Sequence, residues 1–177
     1  MTAYRRNFVL GGSFFFTVNL ADRRSRLLAA RVDLLREAFR YVRLRHRFSL
    51  DAIVVLPDYL HAIWTLPPGD ADCAMRWRLI KAFFSRGIEA GEQISASRER
   101  KGERGIWQRR YWEHTLRDER DFERRCDYIH FNPVKHGHVR AAAEWPHSSF
   151  HRFVKLGIYS ADWACGEESD GSDFGER

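Results

Sequence analysis

Apolar and polar positions recur with two different periods along this chain, and the changes between them predict its elements. After Gly11-Gly12, residues 13–20 (Ser-Phe-Phe-Phe-Thr-Val-Asn-Leu) are aromatic and β-branched and read as a buried strand. Residues 29–47 take up helical spacing, with Val32, Leu35, Phe39 and Val42 as a core row. Arg36, Arg40, Arg43 and Arg47 form a second row one position further on, readable as a solvated face or as a phosphate track. Residues 52–56 and 60–66 predict two strands joined by Pro57-Asp58, with Tyr59, His61, Ile63 and Thr65 on one face. Asp70 or Asp72 then caps a helix running to about Ser85. Its core row is Cys73, Trp77, Ile80 and Phe84, and its polar side is Arg76, Arg78 and Lys81.

Residues 86–105 have no period and predict a mobile loop inside the domain. Residues 106–114 alternate again, as an aromatic and basic strand carrying Arg109, Arg110 and Trp112. Rings beside arginines suit single-stranded nucleic acid; two core tryptophans are the plainer reading. Residues 118–131 form a last helix, with Asp118, Glu119 and Asp121 at its start, where the helix dipole favours acids, and an apolar stripe of Phe122, Cys126 and Ile129. The order β, α, β-β, α, β, α predicts an α+β layer with a mainly antiparallel sheet. One domain over 1–165 accounts for it, followed by a Gly-, Ser- and acid-rich tail over 166–177 that reads as disordered.

Charge narrows the partners. Thirty Lys and Arg against twenty-four acids give a net charge of +6, and most of the cations are arginines, which suit bidentate phosphate contacts. Three cysteines, odd in number and far apart, argue against a disulfide framework or a zinc site. No apolar run approaches membrane-spanning length and no signal peptide is evident, so a cytoplasmic protein is expected.

The chemistry concentrates in residues 126–137, Cys-Asp-Tyr-Ile-His-Phe-Asn-Pro-Val-Lys-His-Gly. Tyr128 lies off the apolar stripe, on a row with Arg124 and Asn132 at i−4 and i+4. Pro133 biases Asn132 away from helical geometry, so that alignment requires the helix to reach its last residue. A half-buried tyrosine with a bonded hydroxyl and a nucleophilic tyrosine beside a metal ligand both fit this spacing.

Five blocks stand in order along the chain: Tyr4-Arg5-Arg6, residues 11–20, residues 56–67 (Leu-Pro-Asp-Tyr-Leu-His-Ala-Ile-Trp-Thr-Leu-Pro), residues 106–114 and residues 127–137. Together they resemble the REP-associated tyrosine transposases, relatives of the small single-tyrosine HUH transposases. The resemblance runs from about residue 4 to 164. It implies a ferredoxin-like (RRM-like) HUH endonuclease fold, a central antiparallel sheet with helices on one face. It implies a DNA endonuclease and strand transferase acting on single-stranded or hairpin DNA from palindromic repeats; monomer and homodimer both stay open. Tyr128 would be the nucleophile, and His61 and Asn132 would hold a divalent metal, Mg²⁺ or Mn²⁺. Arg5, Arg6, Arg76, Arg78, Lys81, Arg109, Arg110, Trp112 and Lys135 are the candidate DNA contacts. One departure stands out: the HUH pattern has histidine two positions before His61, and this chain has Tyr59. A neutral phenol is a poor ligand for Mg²⁺ at pH 7. Loss of that imaginable imidazole ligand leaves three readings: an active nuclease, a hairpin binder with impaired metal chemistry, or a generic RNA-binding domain. His114 and His130 are further imidazoles that the sequence does not assign.

Overall fold

The computed structural model describes residues 7–92 and 94–165. Four strands, β1 (Ser13–Asn19), β2 (Ser49–Val55), β3 (Tyr59–Thr65) and β4 (Trp112–Thr115), form one antiparallel sheet in the order β2-β3-β1-β4. The helices are α1 (Leu27–Ala30), α2 (Val32–Arg45), α3 (Cys73–Arg86), α4 (Ala96–Glu99), α5 (Glu119–Lys135) and α6 (Phe150–Lys155). The expected α+β architecture is present.

Strand parity sorts the core into two layers. Phe14, Phe16 and Val18 of β1 join Leu60, Ala62 and Trp64 of β3 on one face, under α2 and α3. Trp64 stacks on Trp77 of α3 at 4.2 Å, and Phe39 of α2 meets both rings edge-on. Phe15 and Ile63 face the other way, against Cys126 and Ile129 of α5 and Phe153 of α6. The resemblance implied helices on one face only. Here α5 covers the second face, because its stripe packs on the apolar layer that Phe15, Ala52, Val54 and Ile63 present there.

Other boundaries moved for local reasons. The helix expected over 29–47 breaks at Arg31. The strand expected over 106–114 shortens to β4: Trp107 makes one isolated bridge to Leu20 and drives its ring against Phe84 at 5.3 Å. Ile106 and Trp107 are therefore core residues. Asp72 caps α3 by accepting from the Met75 amide, and Asp118 caps α5 by accepting from Asp121. Helix α5 continues through Pro133 to Lys135. It closes where the His138 amide donates to the Pro133 carbonyl at 2.9 Å around Gly137 at φ +68°. Glycine takes that left-handed conformation without the penalty that a Cβ brings.

Candidate DNA-cleavage site

The register of β1 against β3 places Thr17 opposite His61 and Asn19 opposite Tyr59, on the face that α5 covers. Because α5 stays helical through Asn132, that residue sits one turn from Tyr128, as the i+4 spacing requires. The His61 and Tyr128 rings lie 5.1 Å apart, and Phe15 meets Tyr128 edge-on at 5.9 Å. Tyr128 is buried, as are His61 and Asn132.

Arg124, expected on the Tyr128 row, is exposed. Arg125 takes that place, its guanidinium 5.1 Å from the Phe15 ring and 5.7 Å from the Trp112 ring. Lys135 brings its ammonium over the Tyr128 ring at 5.1 Å. Two cations therefore flank the phenol from its own helix. The i−3 spacing to Tyr128 was the signal for Arg125. At the start of the helix, Asp121 binds His114 Nε2 at 2.9 Å and the Arg117 guanidinium at 3.2 Å. Burial raises the Asp121 pKa, but these bonds outweigh it and bring the group down to about 2. His114 is thereby committed to fastening β4 to α5.

The polar atoms test whether a divalent ion suits the site. His61 Nδ1 pairs with Thr17 Oγ1 at 2.9 Å. Its Nε2 is buried with no hydrogen-bond partner among the described residues. Burial, the largest effect, lowers the His61 pKa to about 3, so the ring is neutral at pH 7, the protonation state of a metal-binding imidazole. When Nδ1 donates to Thr17, the Nε2 lone pair is free to ligate. Asn132 is different. Its Oδ1 accepts from the Tyr59 hydroxyl at 2.9 Å, and its Nδ2 is buried without a hydrogen-bond partner among the described residues. Thus His61 fits a metal as it stands, and Asn132 fits once its amide oxygen leaves Tyr59. Among the described residues no group of three His, Cys, Asp or Glu gathers for a metal.

His130 belongs elsewhere. It is fully buried between α5 and α6, paired with Ser149 Oγ at 2.8 Å and packed on Phe153 at 4.6 Å. Burial lowers its pKa to about 3. The unfolded chain takes up this proton near pH 6.5, and the folded chain refuses it until about pH 3. Stability contributed by the neutral ring is therefore present above pH 6.5 and falls on acidification. Chemical denaturation at pH 7 and pH 5 should show a loss of about 2 kcal/mol from this group, and His130→Gln should remove that part of the slope.

The candidate DNA contacts separate. Arg78, Lys81 and Arg109 line one groove of about 820 Å³ between α3 and residues 98–111. Arg86, Arg98 and Lys101, which the sequence reading missed, share it because the loop folds back over α3. Arg109 binds Glu103 at 2.6 Å there, and Lys81 donates to the Gln108 carbonyl at 3.0 Å. Arg110 is exposed nearby. Trp112 is 39% exposed on the tyrosine side and stacks parallel to His114, so it can accept a base. Arg5 and Arg6 lie outside the described residues, as does the tail over 166–177.

Arg76 is a correction. It is 2% exposed and cannot reach DNA. Its guanidinium binds Asp70 through two nitrogens and donates to the His46, Arg47 and Asp72 carbonyls. It ties the end of α2 to the start of α3. Arg76→Ala would take the donor away from the His46, Arg47 and Asp72 carbonyls, while Asp70, 32% exposed, keeps its bond from the Asp72 amide and meets solvent; it should cost about 2–3 kcal/mol of unfolding free energy, read from the denaturant midpoint.

No family model matches the chain. Among curated proteins, the REP-associated tyrosine transposase of Escherichia coli K12 is 45% identical over 179 residues, covering 100% of this chain and 98% of the relative. A Haemophilus influenzae relative, carrying the same family name in provisional form, is 42% identical over 164 residues, covering 92% of this chain and 93% of its own. A solved structure of a REP-associated tyrosine transposase bound to a REP hairpin superposes with a TM-score of 0.82 at 45% identity, covering 100% of this chain and 98% of that one.

Proposed function

This chain belongs to the REP-associated tyrosine transposases, and from that premise we propose that it cleaves and rejoins single-stranded DNA at palindromic hairpins through Tyr128. The observation that carries the reading is a convergence. Tyr59 and His61 on β3 and Tyr128 and Asn132 on α5 meet at one spot, through the 2.9 Å Tyr59–Asn132 bond and the 5.1 Å His61–Tyr128 contact.

In the reaction the Tyr128 oxygen attacks the scissile phosphorus. A bond forms between that oxygen and phosphorus as the phenol gives its proton to solvent, the bond to the 3′-oxygen breaks, and the departing 3′-oxygen takes up a proton from solvent. The products are a 5′-phosphotyrosine and a free 3′-OH, and a 3′-OH can later attack the phosphotyrosine and expel the phenolate. Lys135 and Arg125 flank Tyr128 and favour an approaching phosphate and the developing phenolate. Trp112 offers its exposed ring to a base on the strand leading in. His61 and Asn132 would hold Mg²⁺ or Mn²⁺, which polarises the phosphate when bound. Arg78, Lys81, Arg109 and Arg110 would contact the hairpin phosphates, with salt-dependent affinity.

A second reading, hairpin binding without cleavage, is favoured by one observation. The Tyr59 hydroxyl occupies the Asn132 oxygen. The two readings separate on a labelled single-stranded palindrome incubated with Mn²⁺ or Mg²⁺. A detergent-stable protein–DNA band together with a free 3′-OH fragment is expected. Tight binding without either product, across a panel of palindromes, would overturn cleavage in favour of the binder.

A further inference from the structure

A second basic groove, on the far edge of the sheet, is not used by the reaction above. It has a volume of about 920 Å³ and runs between α2 and the edge strand β2. Arg36, Arg40, Arg43 and Arg47 stand along its α2 side, and Arg152 closes it from α6. Leu35, Leu50 and Ile53 supply an apolar floor.

We infer that this groove is a second nucleic-acid track, holding a single strand with its phosphates on the α2 arginines and its bases against the apolar floor. Arg36, Arg40 and Arg43 repeat at helical spacing along α2, and Arg47 follows just past its end on the same side of the groove. Some are partly committed. Arg36 binds Asp33 at 2.9 Å, Arg43 donates to the Phe48 carbonyl at 3.3 Å, and Arg152 donates to the Leu50 and Asp51 carbonyls. The Asp51 carboxylate accepts from Thr65 Oγ1 at 2.6 Å, so Asp33 and Asp51 answer only part of the positive charge. The Arg40 and Arg47 side chains are exposed and have no hydrogen-bond or ion-pair partner among the described residues. Guanidiniums that outnumber the carboxylates of a groove repel one another, and a polyanion relieves that repulsion. An apolar floor between cations suits unpaired bases, whose faces need cover, rather than a closed duplex.

Position makes this track distinct from the first. The Arg78–Lys81–Arg109 groove lies beyond α3 toward β4, and this one lies beyond α2 toward β2. Three strand spacings separate β2 from β4, ~14 Å, and the α2–α3 ridge, with Tyr41 on Phe83 at 5.0 Å, stands between the grooves. A strand transferase must handle two strands, so a second track deepens the proposed function. The groove itself rests on its own residues, and its test does not depend on cleavage.

The test uses the Tyr128→Phe protein, so the strand stays uncut, and measures binding of a fluorescent 20-nucleotide oligothymidylate across a salt series. The double variant Arg40→Glu/Arg47→Glu should weaken binding at least tenfold. It should also reduce the slope of log affinity against log salt by about 1.4, at ~0.7 per single-strand phosphate contact. Arg40→Lys/Arg47→Lys should keep the slope. Unchanged affinity and slope in the glutamate variant would overturn the inference, as would a lysine variant as defective as the glutamate one. Tighter binding of labelled oligoglutamate than of oligothymidylate would overturn it in favour of an acidic protein partner.

Discussion

Tyr128→Phe is expected to abolish the covalent protein–DNA adduct altogether while leaving hairpin affinity within about threefold. The substitution removes one oxygen and keeps the ring, so the contacts with Phe15 at 5.9 Å and His61 at 5.1 Å persist. The cations that meet the phosphates are untouched. A nucleophile cannot be replaced by its neighbours here: His61 Nε2 is buried beside it, and the Tyr59 hydroxyl is turned to Asn132. Gel retardation and a denaturing gel on the same samples read the two effects separately. Loss of binding in parallel with the adduct would mean that Tyr128 holds the fold or the DNA rather than attacking it.

Tyr59→His is expected to tighten Mn²⁺ binding at least ~10-fold, measured by calorimetry on the protein without DNA. Two effects add. The Tyr59 hydroxyl leaves Asn132 Oδ1, which frees an amide oxygen, and an imidazole arrives two residues from His61 on the same strand face. Tyr59→Phe isolates the first effect, because it releases Asn132 without adding a ligand, and should give an intermediate gain. The ring of residue 59 also packs against His61 at 5.1 Å, and a guanidinium from Arg23 sits 5.0 Å over it, so phenylalanine preserves the packing. Equal Mn²⁺ affinity in all three proteins would show that Tyr59 does not limit the metal site.

Much of this arrangement was legible in the sequence, and what was not has identifiable causes. A cap at the start of α3 was legible as Asp70 or Asp72, and the side-chain bond to the Met75 amide falls to Asp72; Asp118 was legible only as an acid at a helix start, and its bond to the Asp121 amide makes it the cap. His61 and Tyr59 on one strand face follow from parity alone. Arg125 in place of Arg124 was harder to see. Four residues advance a helix by about 40° beyond a full turn, and only the sheet decides which way the Tyr128 row leans. Arg76 read as surface because its three carbonyl partners, at residues 46, 47 and 72, come together only when α2 ends against α3. Trp107 alternates like a strand residue yet fills the core beside Phe84, since alternation does not reveal where pairing with β1 stops. The Tyr59–Asn132 bond spans 73 residues, a distance at which local patterns carry no information.

The most direct test of the central claim is to digest the covalent protein–DNA complex and locate the nucleotide by mass spectrometry. Two phenols, Tyr59 and Tyr128, lie within this one site, so the position of the adduct discriminates. A phosphodiester on Tyr128, with the 5′ end of the cleaved strand attached, is the predicted result. An adduct on Tyr59, or on any other residue, would contradict the assignment of Tyr128 as the nucleophile.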